Sequence, residues 1–281
     1  MARFCVAAGE EDGSWESGID RVGGHHDFLQ VNMKHIAIGA SKGGTGKTTT
    51  TWNLGFGLAL AGAKVLLVDC DPQDNLRFLA GLDRSSGTVA SVLEGGSAEP
   101  TELREGIWLL PSGGLRLART AAGADGLRAI TSPLKRATGD DQFDFVLFDL
   151  PPELGRMTTA ALSLSDYLLI PCMSTWLGLR SIEQMIEFID GHAREARIDS
   201  ERTGVVMTFY TTRKAGPEAV RQEAKKLFRG RVLRTMIRER AELDYSQQAH
   251  KSVFEYSPSS DGAEDYSSLA KEVIKRINAL A

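Results

Sequence analysis

The run Ser41-Lys42-Gly43-Gly44-Thr45-Gly46-Lys47-Thr48-Thr49 constrains this chain more than any other segment. It follows an apolar stretch, Lys34-His35-Ile36-Ala37-Ile38-Gly39, that reads as a buried strand, and it precedes Thr48 to Ala61, which reads as a helix. Glycines at 43, 44 and 46 between strand and helix favour a tight loop whose backbone N–H groups turn inward at the helix N-terminus. A loop of that kind holds phosphate. The plain spacing G-x-x-x-x-G-K-[ST] would place glycine at position 41, where this chain has Ser, and a second lysine stands at Lys42. Gly43, Gly44, Thr45 and Gly46 are expected to cradle the phosphates of a nucleotide and Lys47 to bridge the terminal ones. Thr48 would give its hydroxyl to Mg²⁺, and Thr49 would add a phosphate hydrogen bond.

Lys64-Val65-Leu66-Leu67-Val68 is a second apolar run, ending at Asp69, and it lacks the alternation of a half-exposed strand. Further candidate strands are Ile107 to Leu110, Phe145 to Phe148, Tyr167 to Ile170, Val205 to Phe209 and Val232 to Ile237. Ile182, Met185, Ile186 and Ile189 recur at helical spacing, as do Leu269, Val273 and Ile277. The tryptophans Trp15, Trp52, Trp108 and Trp176 read as tail or core residues. Alternating strands and helices predict an α/β fold, a doubly wound, mostly parallel sheet flanked by helices on both faces, with ligands at the carboxyl ends of the strands.

The acids fall at that edge. Asp69 and Asp71 close the run Val-Asp-Cys-Asp-Pro-Gln, and Asp149 closes Phe145-Val146-Leu147-Phe148-Asp149. An acid at a strand end can cap the following turn. Beside a phosphate loop it can instead hold a metal, so Thr48, Asp69 and Asp149 are the candidate Mg²⁺ set. Asp71 is the candidate for orienting or deprotonating an attacking water.

The net charge of −4 hides an uneven distribution. Residues 1–32 hold six acids and two bases, which leaves 31 of each in residues 33–281. From Arg202 to Arg240 there are eleven Lys or Arg against three acids, an excess of eight positive charges. That block is either a phosphate-binding face or a solvated surface balanced elsewhere. The glycine-rich, acidic first 32 residues, with the pair His25-His26, predict a disordered extension, and Met33 a natural start of the folded domain over 33–281. Cys5, Cys70 and Cys172 are dispersed and odd in number, which argues against a disulfide framework or a C-x-x-C site and for a cytoplasmic chain. No run approaches the roughly 18 apolar residues of a membrane span, so no membrane insertion is expected.

With Lys42, the Asp-Pro-Gln run at Asp71 to Gln73 and the Phe-Asp-Leu-Pro-Pro stretch at Phe148 to Pro152, the sequence resembles the ParA ATPases, P-loop NTPases of the deviant Walker type. It is more loosely similar to the group that includes MinD and the nitrogenase iron protein. The likeness runs from Lys34 to the C-terminus and includes Leu109-Leu110-Pro111-Ser112 and Asp261-Gly262-Ala263-Glu264-Asp265-Tyr266. It implies slow, partner-stimulated ATP hydrolysis and a homodimer formed in the ATP state, in which Lys42 of one subunit reaches the nucleotide of the other. Lys42, Lys47 and Asp71 would then be the catalytic residues. The resemblance also implies binding to non-specific DNA, a ParB-like centromere-binding partner and a nucleoid-associated location.

On that resemblance the basic block becomes a DNA-facing surface, with Arg213, Arg234 and Arg238 the first candidates, and the adenine contacts fall near Thr208 and Arg238. Two departures stand out. Glu242 occupies a position where a basic residue is common, and Asp74 replaces the usual glycine after Asp-Pro-Gln. Competing expectations are a MinD-like positioning ATPase on a membrane, an ATPase serving a protein cargo, and a reductase resembling the nitrogenase iron protein. The last would require a cluster-ligating cysteine pair, which Cys70 and Cys172 do not convincingly supply; each reads as a small buried filler.

Overall fold

The computed structural model describes residues 33–83, 87–97, 99–139, 142–192, 195, 198–199, 201–211 and 215–280. The expected disordered extension over 1–32 lies outside the described residues, as do Arg213 and Lys214.

The strands are β1 (Lys34–Ile38), β2 (Val65–Asp69), β3 (Thr101–Arg104), β4 (Ile107–Leu110), β5 (Phe145–Asp149), β6 (Tyr167–Met173), β7 (Thr203–Tyr210) and β8 (Val232–Arg238). Among the described residues they form one sheet in the order β3-β4-β2-β5-β1-β6-β7-β8, parallel throughout except where β3 runs antiparallel to β4. The helices are α1 (Lys47–Leu60), α2 (Asn75–Leu79), α3 (Val89–Leu93), α4 (Leu115–Gly123), α5 (Arg128–Thr138), α6 (Arg156–Leu164), α7 (Trp176–Gly191), α8 (Ala215–Leu227), α9 (Ala241–Gln248), α10 (Val253–Tyr256) and α11 (Asp261–Asn278). All the strands expected from the sequence are present, within a few residues at their ends. The short edge strand β3 was not among them.

The sheet separates two apolar cores, which explains the unbroken apolar runs. Val146 and Phe148 of β5 join Leu66, Val68 and Ala37 on one face, under residues from α3 to α8. Phe145 and Leu147 point the other way, joining Ile36, Ile38, Val65 and Leu67 beneath α1, α2, α9, α10 and α11. Each fully buried Leu or Phe contributes about 1.5–3 kcal/mol of transfer free energy, so a strand sealed on both faces has no polar positions to spare. The helical stripes behave as expected: Ile182, Met185 and Ile189 are buried on one side, Leu269, Val273 and Ile277 on the other.

The outer edges are managed differently. β3 is short, and its residues alternate between half-buried and exposed. On β8, carboxylates of α11 accept the outward amides: Glu272 takes the N–H groups of Arg234 and Thr235 at 2.9 Å each, and Asp265 takes that of Arg238 at 2.8 Å. These bonds remove donors that would otherwise template another strand. Because β1, β2, β5 and β7 are parallel, their carboxyl ends share one rim of the sheet. The glycine loop, Asp69, Asp149 and Thr208 meet there.

Candidate functional site

The loop after β1 turns through two left-handed residues, Gly44 at φ 72° and Gly46 at φ 87°. Side chains strain such a backbone, so the conformation itself favours glycine at both positions. A Cβ on Gly46 would lie 3.7 Å from the Phe209 ring and 3.8 Å from Thr208, in ordinary contact with the end of β7. The Thr208 hydroxyl donates to the Thr45 carbonyl at 2.9 Å. Helix α1 starts at Lys47 with no side-chain cap and no acid in its first turn, so its positive end keeps its capacity for an anion. On the other flank, Ser41 Oγ donates to Gln184 Oε1 at 2.8 Å and lies 3.1 Å from Ser181 Oγ, fastening the loop to α7. The hydroxyl that replaces the expected glycine is therefore an anchor.

The two lysines of the loop occupy opposite environments. Lys42 is exposed, whereas Lys47 is buried. Lys47 Nζ donates to the Lys42 carbonyl at 3.2 Å. Burial lowers the Lys47 pKa, and the charges of Asp149 and Asp71 pull it back up. Asp149 is fully buried at the end of β5 and accepts from the Thr51 hydroxyl at 3.2 Å. Burial raises its pKa to about 7, against hydrogen bonding from Thr48 and the Lys47 charge. Its Oδ2 is buried and without a hydrogen-bond partner, as is the Thr45 hydroxyl. An unpaired oxygen on a carboxylate whose neighbours include the Thr48 hydroxyl fits a hard divalent cation. Among the described residues no three His, Cys, Asp or Glu side chains gather into a metal cage. Mg²⁺ does not need one, since it commonly takes one or two protein ligands and completes its shell with phosphate and water.

Asp69 has a different local role. Its Oδ1 accepts from Asp71 N and its Oδ2 from Leu76 N, both at 3.0 Å, so its carboxylate organises the turn between β2 and α2. Burial and the neighbouring Asp149 push its pKa well above the ordinary value. Asp71 is also buried, and its Oδ1 accepts from Gln73 N at 2.9 Å. Three residues further on, Asp74 has φ 56°. The structure thus explains the departure from glycine at 74: the turn needs a left-handed residue, and Asp tolerates that conformation better than most.

The structure gives the other singled-out residues the following surroundings. The Arg238 guanidinium is bound by the acids of α11: Nε lies 2.9 Å from Asp265 Oδ1, Nη2 2.9 Å from Glu264 Oε2 and Nη1 3.3 Å from Asp261 Oδ1. Its nitrogens face the carboxylates of α11, and its side chain keeps 28% of its surface exposed. Thr208 does meet the loop, through Thr45. Arg234 is exposed on β8. Trp52 is buried and Trp108 half-buried, as expected, but Trp176 opens α7 with 60% of its surface exposed and is no core residue. Cys70 and Cys172 are buried free thiols whose pKa values burial raises. Phe209 was not singled out from the sequence. It carries a left-handed backbone, φ 50°, and stands 41% exposed beside Gly46.

Residues 33–200 match the AAA_31 family model, an AAA domain. The sporulation initiation inhibitor protein Soj of Bacillus subtilis is 31% identical over 252 residues, covering 85% of this chain and 98% of Soj. The chromosome partitioning protein ParA of Caulobacter vibrioides is 31% identical over 257 residues, covering 87% and 95%. The septum site-determining protein MinD of Pyrococcus horikoshii, solved with Mg-ADP, superposes with a TM-score of 0.70 at 25% identity, covering 89% of this chain and 99% of MinD. The lysine-bearing phosphate loop, the acids at neighbouring strand ends and these likenesses agree, and the chain belongs to the ParA family of partition ATPases.

Proposed function

We propose that this protein is an ATP-dependent dimerising switch that binds DNA without sequence preference and drives segregation of a plasmid or chromosome with a ParB-like partner. The observation that carries the reading is the division of labour between two lysines of one loop. Lys47 is buried beside Asp149 and Asp71, while Lys42 stands exposed next to it. A single bound nucleotide has use for the first; the second is free to reach a nucleotide held by another copy.

In this reading the backbone of Lys42 to Lys47 and the hydroxyls of Thr48 and Thr49 hold the phosphates of ATP. Thr48 and Asp149 hold Mg²⁺, which supplies charge neutralisation when bound, with Asp69 fixing the turn behind them. Lys47 offsets the negative charge that develops on the terminal phosphate, and Asp71 orients the attacking water. Hydrolysis is slow until a partner completes the site, and the protein acts in the cytoplasm on the nucleoid. Lys225 and Lys226 of α8, with Arg229 and Arg234, supply exposed positive charge for DNA phosphates. The MinD-like membrane reading gains no support from α11, whose Val273, Ile274 and Ile277 are buried in the second core.

The test is mass by light scattering with ADP and with a slowly hydrolysed ATP analogue, for wild type and Lys42→Ala. A dimer in the analogue state only, lost in Lys42→Ala while nucleotide still binds, is the expected result. A wild-type monomer with bound analogue would overturn the reading.

A further inference from the structure

We infer that Asp74 is a positioning residue for Asp71, acting through a tether to the neighbouring loop; the inference rests on the reading of Asp71 as the group that orients water. Asp74 sits at φ 56°, ψ 39°, a left-handed conformation that glycine adopts without the steric cost of a side chain. Its carboxylate is nevertheless bonded at both oxygens. Oδ1 accepts from Ser112 N at 2.9 Å, and Oδ2 accepts from Arg77 Nε at 2.6 Å. Its own N–H donates to the Asp71 carbonyl at 2.9 Å. Glycine at this position would satisfy the backbone and provide none of the side-chain bonds.

Ser112 is a firm anchor. It follows β4, which pairs with β2 through Val68 and Leu110. Its carbonyl accepts from Ala90 N at 3.0 Å and its hydroxyl from Gly114 N at 3.0 Å. Arg77 in turn donates to the Leu82 carbonyl at 2.9 Å, which closes the far end of α2. The turn carrying Asp71 is therefore fixed at both ends: Asp69 holds it from β2, and Asp74 holds it to the loop after β4. A reacting group must be held to within a fraction of an ångström, and side chains one step removed set that precision. Asp74 touches no reacting atom in this scheme; it sets where Asp71 stands.

The experiment compares steady-state ATP hydrolysis by Asp74→Gly and Asp74→Asn, with Asp71→Ala as reference, and follows amide hydrogen exchange at Ser112. Asp74→Gly should lower kcat about tenfold, leave KM within about twofold and speed exchange at Ser112. Asp74→Asn tolerates the same backbone and keeps an acceptor for Ser112 N–H, so its kcat should stay within about threefold of wild type. Wild-type kcat in Asp74→Gly, while Asp71→Ala loses turnover, would overturn the tether and leave the Asp71 reading intact. Normal turnover in Asp71→Ala would overturn that reading and the tether with it. Equal losses in the Gly and Asn variants that track a lower melting temperature would make Asp74 merely structural. If the glycine variant does not fold, wild-type exchange decides: protection at Ser112 matching that of β4 supports the tether, and free exchange overturns it.

Discussion

Asp69 and Asp149 are register partners at the ends of adjacent parallel strands, and both are fully buried. Burial raises both pKa values, with the Asp149 charge adding to the rise at Asp69 and the Asp71 charge to the rise at Asp149. Asp69 is bonded by two backbone amides, while Asp149 has a hydroxyl and the Lys47 charge on hand and keeps one buried oxygen without a hydrogen-bond partner. In the proposed reading, this rim takes a cation and a phosphate group together.

Lys47 is the cation closest to this logic. Lys47→Ala should weaken nucleotide binding by at least about 100-fold, the scale of losing one partner of a buried charge pair. Titration with a fluorescent ATP analogue measures it directly. Binding within about tenfold of wild type would remove Lys47 from its assigned role.

Asp71→Ala should separate binding from chemistry. The variant should bind the ATP analogue with wild-type affinity, lose phosphate release by about 100-fold or more, and accumulate as the ATP-bound dimer. Phosphate release and size-exclusion chromatography in ATP check both halves. Normal turnover would exclude Asp71 as the residue that acts on water.

Glu272 provides a test of the fold away from the site. Burial raises its pKa, but the amides of Arg234 and Thr235 and the Thr235 hydroxyl outweigh it, and the net shift is downward from the ordinary 4.5. The folded state therefore holds this proton less tightly than the unfolded chain. Its contribution should be complete above pH 4.5 and disappear as pH falls through the lowered folded value. Glu272→Ala should cost about 1–3 kcal/mol at neutral pH by freeing two strand amides, with the difference from wild type shrinking in acid. Urea melts of both proteins across that pH range would show it, and a difference independent of pH would contradict it.

The glycine loop and the strands around it were legible because each carries a local signal. Glycine spacing, apolar runs without alternation and acids at their ends do not depend on distant residues. β3 was missed because Thr101-Glu102-Leu103-Arg104 is short, polar and held only by pairing with β4. The ion pairs of Arg238 had no local signal, because its partners, Asp261, Glu264 and Asp265, lie 23 to 27 residues later on another element. Trp176 read as a tail or core residue, but the first turn of α7 carries it out to the surface. The positive φ of Asp74 had a trace in the sequence, the departure from glycine, yet the bond to Ser112 depends on tertiary geometry.

The most direct test of the central claim is binding to non-specific duplex DNA with ADP, ATP and a slowly hydrolysed ATP analogue over a series of salt concentrations, with size followed in parallel. The account predicts binding only in the ATP states, as a dimer, with log Kobs falling by about 0.9 per phosphate contact for each unit of log salt. Equal binding with ADP, or an ATP-state dimer that leaves DNA unbound even at low salt, would contradict it.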